Sequence, residues 1–328
     1  MLCAELVPME PLLKTTIPLG SPWLYQVKWD GIRILSCYDG HNLTFRTKKG
    51  NLRQTEYPEL YDLTAHVRGD CWILDGEVVC LGNDNDRTPD FFSVLKRDRT
   101  QSPGPSLLKK YPVTYQIFDL LLLDDGDLST RTLLDRLSRL KDICCESETI
   151  RLVSSTQAGI SLFEQTRNVN HEGIVAKKKS SPYKPGKKHT SWVKIKHLKT
   201  LYALVGGVII DRQRLRSLLL GLIDSKGRFI YIGKASTGLS DKEREQLVSV
   251  AKNHLKQSSP FLYLPQSLHH QASEGTLDII FLPPQLAVQV TYAEWTPDGN
   301  LRHPVINGFV DRSQVDCSVN QSHFKPST

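Results

Sequence analysis

The sequence predicts an α+β fold in two successive domains. Apolar runs that suit buried strands occur along the chain, and between them one segment has the spacing of an amphipathic helix. The composition changes near residue 200, because lysine-rich sequence precedes it and strand-like runs dominate after it. We therefore expect a first domain over residues 1–199, a small β-barrel over 200–316 and a tail over 317–328.

The individual elements follow from these patterns. The predicted strands are residues 72–80, 113–123, 204–210, 229–232 and 286–295. Leucines and an isoleucine recur at helical spacing over residues 133–143, which predicts a core-facing helix. A second helix is expected near Ser240, where Ser-Asp-Lys-Glu forms a capping box. Asp-Ser-Lys-Gly at residues 224–227 lies between two apolar runs and predicts a hairpin.

Charge is distributed unevenly along the 328 residues. The net charge is +7, and residues 171–199 contain nine lysines against one acidic residue, Glu172. Such a segment suits a polyanion such as nucleic acid or nucleotide phosphate, although a basic run is also often a solvated face. The seven cysteines include no Cys-x-x-Cys pair, so neither a disulfide framework nor a zinc site is expected.

The sequence favours a reducing, cytoplasmic location. The N-terminal residues lack the charged start and apolar centre of a signal peptide. No stretch approaches the roughly 18 consecutive apolar residues that a membrane-spanning helix needs. We therefore expect no interaction with a membrane.

A lysine nucleophile is suggested by Lys28-Trp29-Asp30-Gly31-Ile32-Arg33, which directly follows an apolar strand-like run. A lysine attacks phosphorus only as the free amine, a form that apolar surroundings and nearby cations favour. Glycine allows close backbone approach to a ligand, and arginine offers a fork for oxygen atoms. The alternative is a strand-end ion pair followed by an ordinary turn.

Four further segments carry polar groups inside strand-like sequence: LDGEVV at 74–79, YQIFDLL at 115–121, EGIVAK at 172–177 and SWVKIK at 191–196. Carboxylates in apolar strands are costly unless they bind a metal, a cation or hydroxyl groups. Alternation places Lys194 and Lys196 on one strand face, which suits a phosphate. The alternatives are a bulge for the carboxylates, core packing for Phe118 and a solvent edge for the lysines.

In this order and at these spacings, the segments resemble the covalent nucleotidyltransferase superfamily of ATP-dependent DNA ligases, RNA ligases and mRNA capping enzymes. The resemblance covers nearly the whole chain. SLLLGLIDSKGRFIYIGKASTGLS at 217–240 and EWTPDGNLRHPVINGF at 294–309 are similar to the bacterial end-joining, or ligase D, group. The resemblance implies a nucleotidyltransferase (ATP-grasp-like) domain followed by an OB-fold barrel.

The resemblance also implies roles for individual residues. Lys28 would take AMP from ATP through a phosphoramidate bond, and Lys194 and Lys196 would hold the α-phosphate as further catalytic groups. Nucleotide-binding residues would be Gln26, Val27, Arg33, Arg46, Glu77, Phe118 and Ile174, together with Lys194 and Lys196. Arg33 and Glu77 would hold the ribose, while Phe118 and Ile174 would enclose the adenine. Glu77 and Glu172 would bind Mg²⁺ or Mn²⁺.

Two positions depart from the family pattern. Gln26 stands where many ligases have a glutamate that reads the adenine amino group, and its carbonyl oxygen can accept the same hydrogen bond. Val310 stands where many relatives have a barrel arginine that orients pyrophosphate. We expect either that Arg312 or Arg302 replaces this arginine or that the first step is slow.

The function implied by the resemblance is the sealing of 5′-phosphate/3′-hydroxyl nicks or breaks in double-stranded DNA, in repair by end joining. The implied partners are nicked or broken duplex DNA and the end-binding protein Ku, and the protein is expected to act as a monomer. Two alternatives remain: an RNA ligase or capping guanylyltransferase, and a non-catalytic relative that binds nucleic acid.

Overall fold

The computed structural model describes residues 6–82, 88–254, 258–266, 268 and 278–321. The chain divides into two units, Met1–His197 and Leu198–Thr328, and each has a hydrophobic core of its own. Helices and largely antiparallel sheets occur together, which confirms the α+β class. Within the described residues, no helix is long and apolar enough to cross a membrane.

The first unit is built on two sheets. Its described strands are β1 (Glu10–Leu13), β2 (Trp23–Lys28), β3 (Ile32–Tyr38), β4 (Leu43–Thr47), β5 (Trp72–Cys80), β6 (Val113–Leu123), β7 (Gly126–Asp127), β8 (Ile150–Leu152), β9 (Gly173–Lys178) and β10 (Lys188–Lys196). One sheet has the order β1-β10-β9-β2, and the other β4-β3-β5-β6-β7 with β8 beside β6. Consecutive strands β2 and β3 belong to different sheets, so residues 29–31 carry the chain from one sheet to the other.

Helices cover the strands of this unit. Those described are α1 (Leu63–His66), α2 (Phe91–Asp98), α3 (Pro105–Lys110), α4 (Leu133–Ile143) and α5 (Gly159–Asn168). The amphipathic α4 spans the predicted residues and is capped by the Thr132 side chain. Arg136 of α4 is fully buried and donates hydrogen bonds of 2.7 and 2.9 Å to Asp119 of β6. Removing one member of such a buried pair costs about 3–5 kcal/mol, so this contact fixes α4 on the sheet.

The second unit is a six-stranded sheet with one α-helix among its described residues. Its strands are β11 (Lys199–Asp211), β12 (Arg214–Ile223), β13 (Phe229–Ala235), β14 (Asp278–Phe281), β15 (Ala287–Tyr292) and β16 (Val305–Val310), and its helix is α6 (Asp241–Lys252). The strand order is β13-β12-β11-β15-β16, and β14 also pairs with β11. Four register irregularities, which fall in three of the strand pairings, bend the sheet, as an OB-fold requires.

Local sequence signals in the second unit are confirmed. The β12–β13 hairpin turns at residues 224–227, and α6 begins after Ser240, whose side chain forms the predicted capping box with Glu243. Part of the segment assigned to a tail packs on this unit. Cys317 is buried, and the Gln321 side chain hydrogen-bonds both backbone groups of Tyr202.

Candidate active site

The turn between β2 and β3 places Lys28 at the junction of the two sheets. A Cβ atom on Gly31 would lie 2.2 Å from the carbonyl oxygen of Val78, so only glycine allows the turn to pass this closely over β5. Lys28 is the last residue of β2, and its side chain is 21% exposed. An amine in this position is shielded from bulk water and still reachable by a ligand.

Strand register brings two lysines to one carboxylate. Gly173, the first residue of β9, has Lys28 as its partner on one neighbouring strand and Lys196 on the other. A Cβ atom at Gly173 would lie 2.1 Å from the carbonyl oxygen of Ile195, and its φ of +142° favours glycine. Because Gly173 has no side chain, the three strands stay close together here. The carboxylate of the preceding residue, Glu172, therefore lies between the two lysines.

Glu172 engages both lysines at once. Lys28 donates a hydrogen bond to Oε2 of this carboxylate, and Nζ of Lys196 lies 2.5 Å from Oε1. Burial opposes the charged form of Glu172, but the two lysines prevail and hold its pKa below the usual range. The carboxylate is thus an anion that orients two amino groups.

Lys194 adds a third cation to this group. Burial lowers the pKa of Lys194, and the positive charges of Lys28 and Lys196 lower it further. Three lysines around the single carboxylate of Glu172 leave an excess of positive charge. Such an excess suits a polyphosphate, which would relieve the repulsion between the amines.

A cavity of about 250 Å³ opens beside Lys28. Its lining is Glu10, Pro11, Gln26, Val27, Lys28, Trp29, Arg33, Lys48, Glu77, Phe118, Val175, Lys177, Trp192 and Lys194. Of the residues predicted from sequence, seven therefore lie around one space: Gln26, Val27, Lys28, Arg33, Glu77, Phe118 and Lys194. Glu172 and Lys196 reach it through their contacts with Lys28 and with each other.

Arg33 is held rigidly at the wall of this cavity. Its Nε and Nη2 atoms donate to the two oxygens of Asp75 at 2.9 and 2.6 Å, and its guanidinium lies 5.2 Å from the centre of the Phe118 ring. The hydroxyl of Tyr183 donates a further hydrogen bond of 2.6 Å to Asp75. Among the described residues, none accepts a hydrogen bond from Nη1 of Arg33, so that group remains available to a ligand.

Glu77 is the second carboxylate of the site. Burial raises its pKa to about 7, and the negative charges of Glu172 and Asp30 add to the rise against the opposing charges of Lys28 and Arg33. A carboxylate with this pKa is poised to lose its proton when a cation or a hydroxyl group arrives.

Lys177 and Trp192 were not predicted from sequence as functional residues. Lys177 is 2% exposed, and its Nζ atom lies 4.0 Å from the centre of the Trp192 ring and 4.4 Å from that of Phe118. Burial lowers the pKa of Lys177 to about 7. The available signal was a lysine inside the apolar strand sequence of EGIVAK, a costly position unless the amine has a role.

Gln26 is oriented by its neighbours. The side chain is buried, and its Nε2 atom donates to the carbonyl oxygen of Val153 at 3.3 Å and to Oγ of Ser155 at 3.0 Å. A backbone carbonyl can only accept, so the nitrogen end of the amide must face Val153. The oxygen end is left as the acceptor for a ligand.

Two predicted nucleotide contacts are not brought into the cavity. Ile174 is fully buried on the opposite face of β9, in a cluster with Tyr25, and the adjacent Val175 lines the cavity instead. Successive residues of a strand face opposite ways, so Val175 faces the cavity and Ile174 faces away from it. Arg46 donates to the carbonyl oxygen of Gly50 at 3.2 Å, within its own turn, and does not line the cavity.

Few side chains of the site could bind a metal ion. Within the described part of the chain, no group of three or more histidine, cysteine, aspartate or glutamate side chains is placed to hold a metal ion. Mg²⁺ is commonly bound by one or two carboxylates, with water and substrate phosphates completing the shell. Glu77 and Glu172, each within electrostatic range of the other, fit this requirement.

Comparison with known proteins agrees with this geometry. The family model for the ATP dependent DNA ligase domain matches residues 1–196, and that for the ATP dependent DNA ligase C terminal region matches residues 211–311. The multifunctional non-homologous end joining DNA repair protein LigD of Mycobacterium tuberculosis is 31% identical over 86% of this chain and 35% of its own. The bifunctional LigD of Bacillus subtilis is 27% identical over 97% of this chain and 52% of its own.

Solved structures show the same likeness. A mycobacterial DNA ligase D complexed with ATP and MES is 30% identical, with a TM-score of 0.51 over 94% of this chain and 96% of that one. A Lig E DNA ligase, 16% identical, shares the fold with a TM-score of 0.60, and the match covers 92% of this chain and 99% of that one. The fold is therefore a nucleotidyltransferase domain followed by an OB-fold. The chain belongs to the family of ATP-dependent DNA ligases, and it spans about a third to a half of the curated LigD proteins it matches.

Proposed function

We propose that this chain seals nicks or breaks in double-stranded DNA, with ATP as co-substrate and with AMP carried on Lys28. The observation that carries the proposal is the contact of Lys28 and Lys196 with one carboxylate, Glu172, beside a cavity of nucleotide-binding character. The family membership supports the reaction, and the likeness to LigD supports a role in end joining.

In the first step, Nζ of Lys28 attacks the α-phosphorus of ATP. A nitrogen–phosphorus bond forms, the bond to pyrophosphate breaks, and the proton released by the amine passes to water. Glu172 orients the amine before attack, while Lys194 and Lys196 offset negative charge that develops on the phosphate oxygens. Groups of this kind contribute about 2.7–4 kcal/mol each where they have been removed from other enzymes.

The cavity receives the nucleoside. Phe118 and Val175 offer apolar surfaces to the adenine, and the oxygen end of the Gln26 amide accepts from its amino group. Arg33, through Nη1, and Glu77 hold the ribose hydroxyls. Lys177 contributes a buried donor at the Phe118 ring.

Glu77 and Glu172 would hold the divalent cation, Mg²⁺ or Mn²⁺. When bound, the cation neutralises charge on the phosphates as pyrophosphate departs. Burial raises the pKa of Glu77, with a further contribution from the charge of Glu172, and a cation bound between the two carboxylates would favour their ionised forms.

In the later steps, AMP passes from Lys28 to a 5′-phosphate at a nick, and the neighbouring 3′-hydroxyl displaces it. The exposed lysines of the lysine-rich segment, among them Lys178, Lys187 and Lys188, supply positive charge for the DNA backbone. Action as a monomer in the cytoplasm, with the end-binding protein Ku as a partner, completes the proposal and rests on the resemblance of the sequence to the end-joining group.

The test is incubation with ATP labelled at the α-phosphate and a divalent cation, followed by nick sealing on a 5′-phosphorylated duplex. A DNA ligase acquires an acid-labile AMP label and seals DNA with ATP. Preference for GTP identifies a capping-type guanylyltransferase, and preference for an RNA nick identifies an RNA ligase. A protein that takes no label at all contradicts the proposal and leaves a non-catalytic relative.

A further inference from the structure

Four arginines surround a cavity of about 760 Å³ on the second unit, formed by the β11–β12 hairpin and the first turn of α6. Its lining is Asp211, Arg212, Arg214, Leu215, Arg216, Ser236 and Arg244. Asp211 is the one carboxylate in that lining, so the formal charge there is +3. We refer to Arg212, Arg214, Arg216 and Arg244 as the arginine cluster.

The turn of this hairpin breaks a local rule. Asp211 pairs with Arg214, which leaves Arg212 and Gln213 as a two-residue turn, and both have positive φ, +47° and +64°. Two-residue turns of this kind favour Asn-Gly or Gly-Gly, because other side chains are strained in the left-handed region. Backbone strain of this kind is found most often at functional positions. Turn geometry does not explain why Arg212 and Gln213 occupy this turn, which suggests that their side chains have a function.

The four arginines of the cluster differ in how far their guanidinium groups are already bound within the protein. Among the described residues, no carboxylate pairs with Arg212 or Arg214. Arg216 is 65% exposed and pairs with Asp211 at 2.7 Å, a surface contact that contributes little and exchanges readily. Arg244 donates to the carbonyl oxygens of Leu215 and Ser236, so it fixes the helix to the hairpin while adding its charge.

The chemistry of the cluster points to phosphodiesters. Guanidinium forks bind phosphate oxygens in pairs and do so better than lysine amines. Arg214 and Arg216 lie on one strand face, about 6.8 Å apart, since alternate residues of a strand repeat at that distance. Phosphates of one duplex strand rise about 3.4 Å along the axis per nucleotide and also wind around it, so consecutive phosphates lie farther apart than this rise, and two arginines at this spacing can contact neighbouring phosphates.

We propose that the arginine cluster binds the phosphate backbone of the DNA duplex, as a site separate from the nucleotide cavity and from residues 177–199. The inference rests on the proposed function, because it assigns a DNA contact to the same ligase. Arg212, Arg214 and Arg216 make the contacts, and Arg244 is a positioning residue.

The first test compares the wild type with a variant that carries Arg212→Gln, Arg214→Gln and Arg216→Gln. Affinity for a nicked duplex is measured as a function of salt. We expect the slope of log affinity against log salt to become shallower by about 0.9 for each lost contact, or up to about 2.7 in total. AMP labelling should be unchanged. The matched control is Arg228→Gln, in the β12–β13 turn at the other end of the sheet, where Arg228 pairs with Asp224 at 2.7 Å.

The second test replaces Arg212-Gln213 with Asn-Gly. These residues suit the left-handed turn, so the thermal midpoint should rise while the salt slope becomes shallower. A variant that is more stable and yet binds DNA less well separates DNA contact from structural damage.

Three outcomes overturn the inference. One is an unchanged slope in the triple variant, and another is an equal change in Arg228→Gln. A third is slower AMP labelling in the triple variant, which would assign the cluster to the phosphates of ATP. If the wild type itself neither takes AMP nor binds the nicked duplex, the proposed function fails instead.

Discussion

Lys28 donates a hydrogen bond to Oε2 of Glu172, the carboxylate whose other oxygen lies 2.5 Å from Lys196. The contact holds the amine at the mouth of the cavity before any ligand arrives. It also means that the nucleophile is oriented by the residue that precedes the neighbouring strand β9, so the reactive geometry depends on how three strands pair.

The first prediction concerns the nucleophile. Lys28→Ala should abolish AMP labelling while leaving the thermal midpoint nearly unchanged, because the lysine is partly exposed and no neighbour can replace its amine at the α-phosphate. Labelling followed by peptide mapping checks this. Lys178→Ala, an exposed lysine on β9, is the control and should label normally. A label found on another lysine of the Lys28→Ala protein contradicts the assignment.

The second prediction concerns the lysine-rich segment. Lys187 and Lys188 are exposed, and Lys184 lies 3.0 Å from His189. If these lysines contact DNA, replacing all three with glutamine should make the salt dependence of duplex affinity shallower by about 0.9 per contact. AMP labelling should continue at the wild-type rate.

The control for this segment neutralises exposed lysines elsewhere on the same unit: Lys109, Lys110 and Lys141. Their replacement should leave the slope as it is. Equal effects of the two triple variants would show that the segment acts only through net charge and is an ordinary solvated loop.

The third prediction concerns the absent barrel arginine. Val310 packs against a cluster that contains Leu204 and Phe229, and its strand partner is the buried Ala287. Arginine at this position should therefore lower the thermal midpoint and leave the labelling rate unchanged, because a charged side chain is costly in an apolar contact. Faster labelling by Val310→Arg would show that the side chain reaches the phosphates.

Arg312 is the better candidate for that role. It is exposed and, among the residues that the structure describes, donates to the carbonyl oxygen of Pro284 alone, at 2.8 Å, whereas Arg302 is paired with Glu294 at 2.6 Å. We expect Arg312→Ala to slow AMP labelling by about 100- to 1,000-fold and to leave the sealing of a pre-adenylated nick unaffected. Arg302→Ala serves as the comparison, and a larger loss there would reverse the assignment.

The fourth prediction uses the buried amine of Lys177. The folded pKa is about 7 against an ordinary value of 10.5, so the unfolded chain binds more protons between these values. The stability linked to this group is fully present above about pH 10.5 and is lost as the pH falls toward 7. Lys177→Met should therefore raise the thermal midpoint most at neutral pH and least near pH 10. Melting curves of both proteins from pH 7 to pH 10 test this prediction. A difference in thermal midpoint between the variant and the wild type that does not change with pH would contradict it.

The fifth prediction concerns Gln26. A glutamate here, as in many relatives, would set a carboxylate oxygen against the carbonyl of Val153, where the amide now donates. We expect Gln26→Glu to destabilise the protein by about 1–3 kcal/mol and to slow labelling. Ser155→Ala should have a smaller effect, since the Val153 acceptor remains. Equal or faster labelling by the glutamate variant would mean that the local backbone adjusts.

Much of the fold could be predicted because its signals are local. The apolar runs at Trp72–Cys80 and Val113–Leu123 became β5 and β6 with the same limits, and the helical spacing at Leu133–Ile143 became α4. The β11–β12 turn could not be predicted, since Arg212-Gln213 is not a turn sequence and only the observed φ values reveal it.

The site was predicted where its residues share a motif and missed where it depends on strand facing. β9 is buried on both faces along most of its length, so its apolar sequence shows no alternation and could not decide between Ile174 and Val175. The contact between Lys177 and Trp192 depends on the pairing of two strands, so the sequence pattern of neither strand alone predicts it.

The pairing of Gly173 with Lys28 on one side and Lys196 on the other has a consequence for how the enzyme tolerates change. The two amines stand one strand to either side of Gly173, separated by two interstrand spacings, about 9.6 Å between backbones. That interval is fixed by peptide hydrogen bonds and owes little to the side chains packed around it. Substitutions in the surrounding core can therefore accumulate without changing the distance between the strand positions of Lys28 and Lys196, as long as the three strands remain paired.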